Sequence, residues 1–140
     1  MIVIDIETTG TDTQKHSILS IGAVDSKYPL ERFSEECRAW PGAHIDPDSL
    51  AVNGFSREEA VSQAKQTEAE LVGAFFRWLE LREEITPAGQ IPSFDLGFLQ
   101  AAAHRAGENY ILSHRSIDLH TIAYAHMIRR GITPPVRNKK

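Results

Sequence analysis

The chain of 140 residues is predicted to form an α/β domain in which three antiparallel strands precede helices interleaved with a further strand. Two observations predict it. Apolar runs at Met1–Ile4, Ser17–Val24 and Leu30–Trp40 follow one another with short polar connections, as consecutive strands joined by turns do. From Ser56 onward the apolar period changes to that of helices, and two helix starts carry capping-box patterns.

The elements follow in order. Met1 to Ile4 opens the first strand, and Gly10 to His16 is a polar connection. In Ser17–Val24, Ile18, Ser20 and Gly22 share one face and Leu19, Ile21 and Ala23 the other, which suits a central strand. Leu30–Trp40 is a weaker third strand, and Pro41–Asp48 is read as a loop. Ser56-Arg57-Glu58-Glu59 opens a short helix. Thr67-Glu68-Ala69-Glu70 opens a longer one, with Leu71, Val72, Phe75, Phe76 and Leu79 in one apolar stripe. Ile85–Gly89 is a short strand. Phe94–Ala106 is a helix with Phe94, Phe98, Leu99, Ala102 and Ala103 facing inward and Gly107 as its stop. Ile117–Arg130 is the last helix, with Asp118 as its cap.

The length suits one domain, expected over 1–131, with 132–140 a basic, flexible tail. No apolar run approaches the roughly 20 residues that span a bilayer, so no membrane partner is expected. A lone Cys37 excludes an internal disulfide and a cysteine zinc cluster. The chain opens on an acid-containing strand rather than a signal peptide, and a cytoplasmic address is the default expectation. Residues 129–140 carry five basic residues and no acid; the remainder has ten basic against nineteen acidic residues, a net of −9. An acidic body argues against a broad platform for duplex DNA. It leaves room for a nuclease, whose bound metals invert the local field.

The chemistry is concentrated in MIVIDIETTG. In a strand, residues i and i+2 share a face, so Asp5 and Glu7 stand side by side where the strand ends. Two carboxylates placed there repel each other and lose hydration, and a hard divalent cation with a preference for oxygen ligands offsets both costs. Asp95, in Ser93-Phe94-Asp95-Leu96, lies in the first turn of a helix that follows a strand, where the dipole favours its charge and where it can join the other two. Each acid has a plain alternative as a cap or a salt-bridge partner.

The DIETTG and SFDLGFL segments resemble the first two motifs of the DEDD superfamily (DnaQ-like) of 3′→5′ exonucleases. Ser17–Val24 is similar to the family's second strand, Asp46–Phe55 to a further stretch and Ser116–His120 to the start of a later helix. The likeness runs from Met1 to about Gly131. It implies an RNase H-like fold: a mixed five-stranded sheet flanked by helices. It implies removal of nucleotides from the 3′ end of single-stranded DNA or short RNA, with two Mg²⁺ or Mn²⁺ ions held by Asp5, Glu7 and Asp95. Asp5 would bridge the ions, Glu7 would hold the one that activates water, and Asp95 the one near the leaving oxygen. Thr8 and Thr9 would meet the 3′-terminal sugar. Phe94 would pack near the base, or else begin the core face of its helix. Partners are then 3′ ends of single-stranded DNA or RNA, and a homo-oligomer remains open.

Two departures stand out. Gln90-Ile91 replaces the His-Asn usual before the second motif. No His-x4-Asp or Tyr-x3-Asp follows Asp95; the nearest likeness, His114 to Asp118, is one residue short and falls where the family places a non-catalytic segment. The C-terminal part of the fold is therefore expected to be missing. The alternative function is a catalytically incomplete nucleic-acid or nucleotide-binding module of the same fold.

Overall fold

The computed structural model describes residues 1–135. Five of the nine residues of the expected tail, including Arg137, Lys139 and Lys140, lie outside the described residues. The elements are β1 (Ile2–Thr8), β2 (Ile18–Asp25), β3 (Arg32–Glu36), α1 (Pro47–Asn53), α2 (Arg57–Ala60), α3 (Glu68–Glu80), β4 (Pro87–Gly89), α4 (Pro92–Ala106), β5 (Ile117–Asp118) and α5 (Leu119–Arg129). The five strands form one sheet in the order β3-β2-β1-β4-β5. The first three are antiparallel, whereas β4 runs parallel to β1 and β5 parallel to β4. This is the expected RNase H-like mixed sheet. Among the described residues, no helix is long and apolar enough to cross a membrane.

The core follows from two periodicities. Ile2, Ile4 and Ile6 of β1 and Ile21 and Ala23 of β2 point to one side of the sheet. There they meet Leu71, Val72, Phe75, Phe76 and Leu79 of α3 and Phe98, Leu99, Ala102 and Ala103 of α4, in a single cluster. Phe75 is central: its ring lies 5.3 Å from Phe33 and stacks on Trp78 at 6.1 Å. Both expected capping boxes are formed, at Ser56/Glu59 and Thr67/Glu70. A smaller cluster, Leu19, Leu50 and Ala60, seats α1 and α2.

Three elements differ from expectation. The expected loop Pro41–Asp48 gives way at its end to a capped helix, Pro47–Asn53: Asp46 accepts from the Asp48 amide, Pro47 follows it, and Gly54 closes the helix at φ +81°. The last helix is preceded by a two-residue strand, because Ile117 and Asp118 pair with Ala88 and Gly89 before the chain turns helical. Asp118 caps α5 as expected, accepting from the His120 amide. Yet α5 has no buried residue, and Tyr124 on it is 48% exposed.

Candidate active site

Strand β1 carries its two acids on the face away from the core. Asp5 pairs with Gly22 of β2 and Glu7 with Ser20. Both helices of the main core cover the opposite face, so Asp5 is exposed and Glu7 half-buried. The expected loss of hydration therefore falls elsewhere. It falls on Asp95, which is 6% exposed.

Asp95 is brought to β1 by a tight crossing. Gly89 of β4 runs so close to β1 that a Cβ there would lie 2.9 Å from the Ile4 carbonyl oxygen. Ile91 then turns the chain in the left-handed region (φ 58°, ψ 56°), unfavourable for a β-branched residue, and Pro92 starts α4. One turn in, Asp95 Oδ1 accepts a hydrogen bond from the Ile6 amide at 3.0 Å. Burial pushes the Asp95 carboxyl up to about 6, against the pull of that hydrogen bond, and the charges of Asp5 and Glu7 push it in the same direction as burial. Glu7 is also raised, by partial burial first and by Asp5 second. The three acids thus share one electrostatic neighbourhood.

They do not close into a ligand cage as they stand. Among the described residues, no group of three or more His, Cys, Asp or Glu side chains is near enough to hold a metal ion. The donor set itself suits a hard cation: three carboxylates, each raised or raising another, with no basic side chain among the described residues hydrogen-bonded to any of them. His114, of the near-match to the third motif, is exposed, and Asp118 is occupied as a cap.

Beside the acids lies a cleft of about 360 Å³, with Glu7 and Thr8 on its floor. Gly10 and Thr11 form one wall, Asp48, Ser49, Val52 and Asn53 of α1 another, and Phe94 a third. Phe94 is 36% exposed, so it faces the cleft rather than beginning the core face of α4; Leu96 is buried instead. Val52 is 89% exposed at the rim, an apolar side chain with its surface open. Thr8 lines the cleft, its hydroxyl donating to the Gly10 carbonyl at 2.7 Å. Thr9 does not line it. Fully buried, its hydroxyl donates to the His44 carbonyl (2.7 Å) and accepts from the Ser17 amide (2.9 Å). Thr9 is thus a brace of the cleft rather than a wall of it.

The α1 wall was absent from the sequence reading. Its signals were Asp46-Pro47 at the start and Gly54 at the end, an N-cap with proline at the first helical position and a C-cap glycine. Asn53 ties this helix to the site, its Nδ2 donating to the Thr8 carbonyl at 2.9 Å. Gly10 also has a steric reason: a Cβ there would lie 2.1 Å from the His16 ring.

Comparisons with known proteins find relatives by sequence and by fold. Ribonuclease T of Haemophilus influenzae (strain Rd) is 27% identical, with 76% of this chain and 52% of the relative covered. A second Haemophilus influenzae ribonuclease T (strain PittGG) is 26% identical with the same coverage. The chain thus spans about half the length of these curated relatives. Among solved structures, E. coli exonuclease I in complex with a 5cy-dA13 oligonucleotide superposes with a TM-score of 0.80 at 20% identity, covering 98% of this chain and 32% of that one. The ExoI/SSB-Ct complex gives 0.76 at 19% identity, covering 98% and 32%. These structures share the fold. The exonuclease family profile (RNase_T) matches residues 2–133, nearly the whole chain, and the chain belongs to that family.

Proposed function

We propose that the chain is a metal-dependent 3′→5′ exonuclease domain acting on single-stranded DNA or short RNA. The observation that carries this reading is that Glu7, on the floor of the cleft, and buried Asp95, bonded to the adjacent Ile6 amide, share one electrostatic neighbourhood with Asp5. The solved exonuclease I complexes with dT13 and dA16 oligonucleotides support a single-stranded nucleic acid as the ligand.

Asp5 and Glu7 from β1 and Asp95 from α4 would hold Mg²⁺ or Mn²⁺. Such ions, when bound, neutralise charge on the phosphate and lower the pKa of an attacking water. The chain's own residues do the rest. The Ile6 amide fixes Oδ1 of Asp95, so the carboxyl enters with one orientation. With its pKa near 6, Asp95 is mostly ionised at neutral pH and available as an anionic ligand. Val52 and Phe94 offer apolar surface to a terminal base, and Phe94 is steadied by Phe98 at 5.0 Å. The Thr8–Gly10 turn and Asn53 fix the floor beneath the sugar.

One observation favours a second reading, a binding module of the same fold that does not hydrolyse. Among the described residues no group of three or more His, Cys, Asp or Glu side chains stands near enough to hold a metal ion. Degradation of a 3′-labelled single-stranded oligonucleotide with Mg²⁺ or Mn²⁺ separates the readings. Loss of wild-type activity in both Asp5→Ala and Asp95→Ala is expected. Equal activity in all three proteins would overturn the enzyme reading for these residues. No wild-type activity, with ion binding still measurable by calorimetry, would favour the binding module.

A further inference from the structure

Glu68, the first residue of α3, is 3% exposed and takes no part in the carboxylate cluster. A buried carboxylate is costly unless fully paired, and this one is. Its Oε1 accepts from the Ser17 hydroxyl (3.0 Å), the Ile18 amide (2.9 Å) and Arg105 Nη2 (2.9 Å); its Oε2 accepts from Arg105 Nε (3.0 Å). Arg105, near the end of α4, sends its remaining arm, Nη1, to the Thr13 carbonyl at 3.0 Å.

The bonds of this network run toward one segment, the loop from Thr9 to Ser17. Ser17 donates its amide to the Thr9 hydroxyl, and Thr9 and Ser17 also pair through their backbones (2.9 Å). Thr9 in turn accepts from the Asp46 amide through its carbonyl (2.8 Å), which fixes the start of α1. Gly10 and Thr11 of this loop, and Asp48 to Asn53 of that helix, are two of the three walls of the cleft. A buried ion pair adds little stability over apolar packing of the same volume. What it supplies here is fixed geometry: three separate elements are held to one carboxylate.

We propose that the Glu68–Arg105 pair is a positioning device for the nucleotide cleft, holding the 9–17 loop through Ser17 and Thr13. The nucleotide part of this proposal rests on the nuclease reading above; the mechanical part does not. Glu68 and Arg105 are positioning residues, since neither lines the cleft.

The test compares wild type with Ser17→Ala, Glu68→Gln and the conservative Arg105→Lys. Steady-state degradation of a single-stranded oligonucleotide with Mn²⁺ and its binding by fluorescence anisotropy are measured beside amide hydrogen exchange. For Ser17→Ala and Glu68→Gln, KM and Kd are expected to rise about fivefold, as for loss of one net hydrogen bond from ground-state binding. The kcat stays within about twofold, because uniform binding is what is lost. Exchange at Thr9, His16 and Ser17, whose amides are hydrogen-bonded within the loop, accelerates while Ile4 and Ile21 keep their protection. Arg105→Lys, which keeps the charge and loses the fork, changes both in the same direction by less. Should Glu68→Gln fail to fold, Ser17→Ala, a small deletion at the loop end, carries the test. Unchanged loop exchange would overturn the proposal, as would a loosened loop with KM and Kd unmoved. A kcat that falls as far as KM rises would also overturn it, placing the effect on the carboxylates. If wild type neither binds nor degrades the oligonucleotide, the nuclease reading fails, and loop exchange still decides whether Glu68 holds the loop.

Discussion

The two faces of β1 differ in everything but their backbone. Ile2, Ile4 and Ile6 lie buried beneath α3 and α4; Val3 and Glu7, one residue out of step, are half-buried and Asp5 is exposed. A period of two separates them completely. The covered face carries the fold, and the open face carries charge that the covered face could not tolerate. Asp95 is the exception that joins them. It belongs to a core helix, yet it approaches the acids by capturing the amide of Ile6, on the strand itself.

Substitutions on each face should separate fold from chemistry. The largest expected effect is on the covered face. Phe75→Ala removes a fully buried ring packed against Phe33 and Trp78, and should cost about 3–5 kcal/mol in chemical denaturation. Val3→Ala, on the other face, should cost less than about 1 kcal/mol. Equal costs would break the distinction. Next comes Asp5→Ala, expected to lower oligonucleotide degradation at least about a hundredfold. Its melting temperature should stay near that of wild type, since Asp5 is exposed.

Asp95 sharpens the comparison through pH. Its folded carboxyl, near 6, lies above its ordinary value of 3.8. Between those values the folded state keeps a proton that the unfolded state has lost, so stability falls as pH rises from about 4 to 6 and stays lower above. With a chelator at pH 8, Asp95→Asn keeps the Oδ1 acceptor and removes the buried charge. It should be more stable than wild type by about 2–3 kcal/mol at most, and inactive. A variant no more stable than wild type would show that the carboxyl is better hydrated than its burial indicates. The smallest effect is at Ile91, which is 48% exposed and holds a left-handed conformation. Ile91→Asn should stabilise by about 1 kcal/mol, read as a shift in denaturation midpoint.

Much of the covered face was legible in the sequence, because α3 and α4 repeat their apolar residues over three or more turns and β1 and β2 are long enough to show a face. Asp5, Glu7 and Asp95 were legible as motifs. What escaped was set by distant partners. The burial of Asp95 depends on an amide 89 positions earlier. The α1 wall buries only Leu50, too little for a periodic signal, and reaches Thr8 across 45 positions. Strand β5 has two residues and exists only because β4 lies beside it. Thr9, read as a substrate contact from its place in the motif, is instead bonded inward to His44 and Ser17.

The central claim is that the three carboxylates form one cation site on an otherwise stable fold. Thermal unfolding at pH 8 with chelator, and then with excess Mn²⁺, tests it most directly. A ligand that binds only the folded state raises its stability in proportion to occupancy. Wild type should therefore gain several degrees with Mn²⁺, while Asp5→Ala and Asp95→Asn, both folded, should lose most of that gain. An equal gain in all three proteins, or none in wild type, would contradict it.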